Sequence, residues 1–329
     1  MPIARPSRSR TSLLIATAFL AVRLIEPREG IGLEKGADVP GAVLLTAGLM
    51  LGVYSILEVA EQGWGSAQTL ILGGVSTALV AAFVLRQARI ENPLMPLRLF
   101  RSRNVAGANV VQALLVVGMF GMFFLGALYL QRILGYDPLE VGLAFLPATI
   151  VMGVMSLRVS DRLNMRFGPR ATLLPALVAI GLGLLLFART PVDGEFFTDI
   201  MPPMVLIGLG AGLGFPALMM LAMSGATQSD SGLASGLVNT SVQVGGAIGL
   251  AVLATLATER TDTLLADGES LAEALNGGYH LAYAIAAGLM LGALAIAATV
   301  LRAAPAPAPA AEPEPRSPRI QAKPACEAA

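Results

Sequence analysis

The sequence predicts an all-α polytopic membrane protein that crosses the bilayer eight times. Eight apolar stretches each approach the length a helix needs, since about 20 residues rising about 1.5 Å each span a hydrocarbon core of about 30 Å. Six of the eight contain no Asp, Glu, Lys or Arg, and the others carry one acid each, Glu58 and Glu140, in a terminal turn. The chain is 55% hydrophobic and 13% charged, whereas a soluble domain has about 25% charged residues. The stretches are residues 39–60, 67–85, 104–130, 139–157, 171–188, 200–223, 232–257 and 279–301.

The composition also argues against several classes of protein. Lys and Arg together number 22, as do Asp and Glu, so the chain lacks the basic excess that a nucleic-acid partner requires. The single cysteine, Cys326, and the single histidine, His280, cannot build a Cys/His metal site, and we expect no metal or other cofactor. No Ser/His/Asp set lies at membrane depth, which argues against an enzyme of the intramembrane hydrolase type.

Charged residues in the loops predict the orientation. Thirteen Lys and Arg residues lie near the spans on one side, and only Arg132, Arg189 and Arg260 lie on the other. Cytoplasmic loops carry the basic excess, so the first side is predicted to be cytoplasmic. The opposite side is predicted to hold two acidic loops, 191–199 and 258–273. We therefore expect a multi-pass protein of the cell (plasma or inner) membrane with a cytoplasmic C-terminal tail.

The two ends of the chain differ from the spans. Residues 12–22 are apolar but too short to cross a bilayer, and three arginines precede them. A signal peptide is one interpretation, but Arg23 follows at once, so a truncated span or an interfacial helix is favoured. Residues 302–329 are rich in Ala and Pro and are predicted to form a disordered tail.

Polar side chains inside the spans are few, and five are candidates for a substrate cavity. They are Asn109, Gln112, Ser235, Asn239 and Gln243. Asn109 and Gln112 are three residues apart and Asn239 and Gln243 are four apart, so each pair shares a helical face. An amide that faces lipid costs free energy, so each pair is expected to face the protein interior or a wet cavity. Interhelical hydrogen bonds that only fix the packing are the alternative.

Glycine and proline are concentrated in two spans and predict close packing or bending there. Glycines four apart, such as Gly232 with Gly236 or Gly245 with Gly249, let helices approach closely in lipid. The sixth stretch adds Gly208, Gly210, Gly212, Gly214 and Pro216. Helix packing is the simpler interpretation, and rocking of these helices during a transport cycle is the alternative. A phosphate-binding loop is excluded, because Leu213 stands where its third glycine is needed and no strand precedes it.

The segment 156–170 is predicted to form a cytoplasmic gate loop. Its candidate residues are Asp161, Arg162, Arg166, Gly168 and Arg170. Arginines recur every fourth residue and form a stripe if the segment is helical, and Gly168 can end one helix while Pro169 begins the next. One interpretation is a set of arginines that snorkel to an anionic leaflet. The other is a gate that pairs with acids of a neighbouring loop in one conformational state.

Four segments resemble one transporter family. The segment 229–256 resembles the penultimate span of the fourteen-span drug:proton antiporters of the major facilitator superfamily. Its sequence is SDSGLASGLVNTSVQVGGAIGLAVLATL. The segment 131–148, QRILGYDPLEVGLAFLPA, resembles the junction between spans nine and ten of that family. The segment 92–104, NPLMPLRLFRSRN, resembles the family's linker before span nine. The C-terminal copy of its Gly/Arg loop motif is similar to RFGPR at 166–170. The resemblance covers residues 12–301.

The resemblance implies a division of the chain. The family has six spans, two extra spans and six more, so this chain resembles its C-terminal portion, with an extra helix pair at 39–86 and a six-helix half at 104–301. Residues 1–38 would then hold a basic N-terminus, a truncated span and a cytoplasmic loop, and residues 87–103 a basic cytoplasmic linker. Spans one to five have no counterpart, and neither do the antiporter motif and proton-coupling carboxylates that lie there. In the GxxxDRxGxR form of the loop motif, Asp161 stands in place of the first Gly and Met165 in place of the Asp, whereas Arg166, Gly168 and Arg170 match.

The resemblance also implies a function: efflux of amphipathic organic compounds or drugs by proton antiport, with alternating access between two halves. The implied partners are the lipid bilayer, a small amphipathic organic substrate, protons as the coupling ion, and a second half-transporter. We interpret the chain as N-terminally truncated and expect no transport by a lone monomer. An inactive fragment and a membrane interaction partner that assembles with a separate half remain as alternatives.

Overall fold

The structure is a computed structural model that describes residues 38–90, 93–94, 100–224 and 231–302. Every element in these ranges is helical, and eight of the helices are long and apolar enough to cross a membrane. This confirms the predicted all-α polytopic class. The predicted truncated span at 12–22, the tail at 303–329 and part of the linker at 87–103 lie outside the described residues.

The eight helices, α1 to α8, follow the apolar stretches in order. They are α1 Val39–Gln62, α2 Ala67–Gln87, α3 Arg103–Arg132, α4 Pro138–Phe167, α5 Pro169–Phe187, α6 Phe196–Met223, α7 Ser231–Ala266 and α8 Leu271–Thr299. Two of them contain π-helical turns, Met155–Ser160 within α4 and Phe196–Ile200 at the start of α6.

Side-chain caps fix where several helices begin. Asp137 and Glu140 form a capping box at the start of α4, and Ser270 and Glu273 form one at the start of α8. In each box the first side chain accepts from the backbone N–H three residues on, while the acid accepts from the N–H of the capping residue. These caps satisfy backbone N–H groups that have no partner within the helix.

The acidic loop predicted at 258–273 is partly helical, because residues 258–266 continue α7. In the segment 156–170, whose helical form the sequence left open, residues 156–167 continue α4. Likewise α8 begins at Leu271, eight residues before the predicted start of its apolar stretch. Hydropathy marks where a helix leaves the hydrocarbon, but the backbone hydrogen bonds of the helix continue into water until a cap or a glycine ends them.

Helix α3 lies at the centre of the bundle and contacts α6, α7 and α8. Around it, α5 packs against α6 and α8, α4 packs mainly against α6, and the α1–α2 hairpin contacts α7 through α1. The core includes the fully buried Leu115, Met122 and Ile180. Most of the central part of α3 and α6 is buried, whereas few residues in the central parts of α1, α2 and α4 are buried.

The two ends of the bundle differ in charge. The basic end is the one around Arg86, Arg166 and Arg170, where α2, α4, α6 and α8 end. The acidic end is the one around Asp193, Asp199 and Asp262, where α3, α5 and α7 end.

Candidate functional site

Two of the five predicted cavity residues lie inside the bundle. On α3, Asn109 and Gln112 are both buried. Asn109 Nδ2 donates to the carbonyl of Val105, 2.8 Å away on its own helix. Asn109 Oδ1 accepts from Ser241 Oγ of α7 at 2.9 Å. This amide therefore links α3 to α7, as an interhelical packing bond does.

The other three cavity candidates lie on α7 and do not meet the first pair. Asn239 and Gln243 are exposed on the surface of the chain, and Ser235 is half-buried. Asn239 Nδ2 donates to the carbonyl of Ser235 at 3.2 Å. Gln243 borders an apolar groove of about 500 Å³ between α1 and α7, which also touches Met50 and Tyr54. The two pairs of amides thus occupy different surfaces, and their role in a cavity stays a prediction.

The alternate glycines of α6 place two other helices against its backbone. Glycines two residues apart point to nearly opposite sides of a helix, and glycines four apart share a side. A Cβ on Gly208 would overlap the carbonyl of Ala148, and one on Gly212 would lie 2.5 Å from the carbonyl of Met152, so both glycines face α4. On the other side, a Cβ on Gly210 would lie 2.5 Å from the carbonyl of Ala176 on α5.

Two further residues complete this region of α6. A Cβ on Gly214 would lie 3.3 Å from Leu115 Cδ1 on α3, a tight but adjustable contact. Pro216 stands inside the helix and has no N–H to donate to the carbonyl of Gly212, four residues earlier. The helix thus combines close packing with a missing backbone hydrogen bond, and whether it bends in a transport cycle stays a prediction.

Glycines of α7 form a similar contact with α3. A Cβ on Gly245 would lie 2.9 Å from Ala113 Cβ, and one on Gly249 would overlap the side chain of Val117. Gly232 and Gly236 behave differently, because the structure places nothing within 4 Å of a Cβ at either position. Of the two predicted pairs on α7, only Gly245 and Gly249 pack closely in the described chain.

The predicted gate loop is a helix end followed by a sharp break. α4 continues to Phe167 and ends at Gly168, whose φ of 85° is a conformation that glycine adopts without strain. Pro169 is the first residue of α5. Asp161, Arg162 and Arg166 are exposed on α4, and the Arg166 guanidinium lies 5.2 Å from the Phe167 ring centroid. None of these charges forms an ion pair with another described residue.

Arg170 is held differently from the other arginines of this segment. Its Nε donates to the carbonyl of Ala297 at 3.4 Å, and its Nη2 donates to the carbonyl of Ala298. Both carbonyls belong to the last turn of α8, where they lack partners within the helix and where a cation is favoured by the helix dipole. Arg170 therefore ties the start of α5 to the end of α8.

Sequence reasoning did not identify a polar cluster at the acidic end. The carbonyl of Thr190, in the loop after α5, accepts from Asn276 Nδ2 at 2.9 Å and lies 2.8 Å from His280 Nε2. Tyr129 of α3 donates from its hydroxyl to the next carbonyl, that of Pro191, at 2.6 Å. Three side chains from α3 and α8 thus fix one loop. The sequence signal was a set of polar residues near helix ends, but nothing in it identified two loop carbonyls as their shared target.

The α1–α2 hairpin is tied at both ends. At the basic end, the Asp38 carboxylate accepts from Arg86 Nε and Gln87 Nε2, both at 2.7 Å, and from the N–H of Gly41 at 2.9 Å. Burial on its own raises the pKa of Asp38, but the hydrogen bonds from Arg86, Gly41 and Gln87 outweigh it and hold the pKa below its ordinary value. At the acidic end, the buried Glu58 accepts from Gln68 Nε2 at 3.0 Å.

Comparison with known proteins agrees with this architecture. The profile described as Major Facilitator Superfamily matches residues 12–250, which is more than half of the chain. The puromycin resistance protein pur8 of Streptomyces alboniger is 36% identical over 280 residues, covering 83% of this chain and 56% of that protein.

Two further relatives have similar coverage. The cephamycin export protein CmcT of Amycolatopsis lactamdurans is 38% identical over 245 residues, covering 74% of this chain and 50% of that protein. The tetracenomycin C resistance and export protein of Streptomyces glaucescens is 31% identical over 267 residues, covering 81% of this chain and 49% of that protein. The chain spans about half the length of these curated relatives. It belongs to the Major Facilitator Superfamily, a family of membrane transporters rather than enzymes.

Proposed function

We propose that this chain forms one half of an exporter of small amphipathic organic compounds, driven by proton antiport in the cell membrane. The basic end faces the cytoplasm in this proposal, because basic loops are retained on that side. The relatives named for antibiotic resistance and export support the substrate class. Residues 104–301 supply six helices, residues 39–86 the extra pair, and a complementary six-helix half, in the same or a separate polypeptide, supplies the opposite wall.

One observation carries the proposal: α7 exposes amide side chains within its membrane span. Asn239 and Gln243 lie on the surface of the described chain, and amides in contact with hydrocarbon cost free energy. This surface is therefore expected to be covered by protein or to border water. A substrate cavity between two halves would place these amides beside protein and water and away from lipid, since transporter sites lie near the bilayer midplane at the interface of repeats.

Proton coupling is assigned to the complementary half. The acids in the described spans lie near helix ends, and Glu58, the most buried of them, already accepts from Gln68. Carboxylates that relay protons in membranes usually lie deep in the bundle. Alternating access then requires both halves, and the chain alone is expected to be inactive.

Efflux of a fluorescent cationic dye tests the proposal. Cells that express this chain alone should lose dye at the control rate, and cells that also express the N-terminal six-helix half of a relative should lose it faster, in a manner abolished by a protonophore. In that context Asn239→Ala and Gln243→Ala should change the range of exported compounds. The matched control is Gln131→Ala, which removes an exposed amide from the end of α3.

Two results would contradict the proposal. Export of dye by the chain alone would show that the second half is not needed. Unchanged export of every compound by both α7 variants would show that these amides do not line the cavity. Crosslinking in membranes provides an independent test of assembly, and a strictly monomeric species in mild detergent would rule out self-association.

A further inference from the structure

A pocket of about 460 Å³ lies between α3, α7 and α8 and reaches the acidic end of the bundle. It runs from Phe124 to Arg132 along α3 and from Tyr279 to Leu271 along α8. Eight residues of helix at 1.5 Å each give it a length of about 12 Å parallel to the helices. Its volume lies within the range of about 300–1,000 Å³ that is usual for small-molecule sites.

The pocket has a polar mouth and an apolar floor. Arg132 is the last residue of α3, and Asp262 lies one turn before the end of α7, so both charges lie at the mouth. Deeper in the membrane, Leu125 and Leu128 line its wall. Phe124, at the inner end, is 46% exposed, so the pocket also opens sideways toward the surrounding hydrocarbon. A ligand that fits a charged mouth above an apolar floor has a charged head group and an apolar chain.

The two charges select the type of head group. Arg132 and Asp262 are the charged residues among the described ones that line the pocket, and neither forms an ion pair with another described residue. A guanidinium binds phosphate through two parallel hydrogen bonds, and a carboxylate accepts from an ammonium group. A head group with only negative charge is repelled by Asp262, and one with only positive charge is repelled by Arg132. The pair therefore fits a zwitterion.

An unused hydrogen-bond donor in the wall points to a ligand as well. Tyr279 lines the pocket and is 4% exposed. Its hydroxyl lies close enough to Arg132 for the guanidinium to interact with its oxygen, but it donates to no atom of the described residues. Helical side chains lean toward the N-terminus of their own helix. Because α3 and α8 are antiparallel, Tyr279 of α8 leans toward the acidic end of the bundle and Arg132 of α3 leans away from it. The hydroxyl and the guanidinium therefore approach the same height along the two helices. A buried hydroxyl that donates to no acceptor costs free energy, which an oxygen of a bound head group would recover.

We propose that this pocket binds a phospholipid with an ethanolamine head group from the adjoining leaflet. Its phosphate contacts Arg132 and Tyr279, its ammonium contacts Asp262, and one acyl chain follows the apolar wall beside Leu125 and Leu128. This lipid site is separate from the α7 amides assigned to the substrate cavity, and its existence does not depend on whether the chain transports.

Native mass spectrometry of the purified full chain tests the site. The chain, in mild detergent, is incubated with phosphatidylethanolamine, and the retained lipid is counted as the collision energy rises. Arg132→Gln and Asp262→Asn should each reduce retention on the order of tenfold, as expected for loss of a charge-assisted hydrogen bond. Arg189→Gln and Asp267→Asn remove exposed charges at the same end of the bundle but outside the pocket, and they should retain the lipid as the unchanged chain does.

Three further probes separate the lipid from other ligands. Phosphatidylglycerol, which lacks the ammonium, should be retained about tenfold less well, and soluble phosphoethanolamine, which lacks the chains, should not bind. Equal retention of phosphatidylglycerol, unchanged retention by both charge variants, or displacement of the lipid by the cationic dye would overturn the proposal. Leu128→Trp fills the apolar wall while keeping both charges, so it tests the site even if a charge variant does not fold. Retention by that variant would also contradict the proposal.

Discussion

Replacing Gly212 by alanine tests how closely the backbones of α4 and α6 approach each other. The added Cβ would lie 2.5 Å from the carbonyl of Met152 and 2.7 Å from Met155 Cβ, about 1 Å closer than ordinary van der Waals contact. The carbonyl belongs to the backbone, so no side-chain rotation relieves the overlap and the two helices must move apart. Overpacking of this kind costs about 1–3 kcal/mol.

Gly153→Ala is the matched control. Gly153 lies on α4, and nothing lies within 4 Å of a Cβ built there, so this variant gains the helix propensity of alanine without the overlap. Both proteins can be purified in mild detergent and unfolded by heat while circular dichroism at 222 nm is recorded. At about 2–4 °C per kcal/mol, Gly212→Ala should melt several degrees below Gly153→Ala. Equal melting temperatures would refute the reasoning, because they would show that α4 and α6 do not meet backbone to backbone at Gly212.

Three other predictions concern polar contacts. A double-mutant cycle with Asn109→Ala and Ser241→Ala should give a coupling free energy of about 0.6 kcal/mol in unfolding by a denaturing detergent, and a value near zero would show that the bond between α3 and α7 is absent. The pKa of Asp38 is lower in the folded chain than the ordinary value of about 3.9. Its stabilisation is therefore fully present above that value and is lost as the pH falls through the lower folded pKa, so the melting temperature should fall more steeply below about pH 4 than in Asp38→Asn, and parallel curves would contradict this. Arg170→Gln should increase amide hydrogen exchange in the last turn of α8, whereas Arg166→Gln, which removes a guanidinium that lies beside the Phe167 ring, should not. Equal exchange in the two variants would remove the role given to Arg170.

The sequence predicted the number and order of the helices because hydrophobic burial in lipid leaves a long, continuous signal. It left open whether the segment with Arg162 and Arg166 is helical, and it did not predict that α7 continues past Glu259, since a helix needs no apolar residues once it is in water. It also identified Gly168 and Pro169 as the boundary between two helices. That prediction worked because both residues act locally, through backbone conformations that each favours.

The partners of individual polar residues were beyond the reach of the sequence. Asn109 was identified as a buried amide, but its bond to Ser241 depends on how α3 and α7 are rotated and displaced relative to each other. Asn239 and Gln243 share a helical face with each other, as their spacing predicted, yet this face points away from Asn109. The spacing of residues along one helix fixes which of them are neighbours on that helix, and it carries no information on which helix they meet.

The polar contacts of the α1–α2 hairpin bear on how the protein enters the membrane. Ser55 Oγ donates to the carbonyl of Thr69, and Ser76 Oγ donates to the carbonyl of Gly48. These bonds, like those of Asp38 and Glu58, lie within the hairpin. The hairpin also makes polar contacts with α7, among them those of Thr255 with the carbonyl of Ile56 and of Trp64 with Glu259. A helix pair that satisfies most of its own polar groups can leave the translocon for the bilayer before α7 has been synthesised. It can then remain in the bilayer as a folded hairpin until the other helices pack against it.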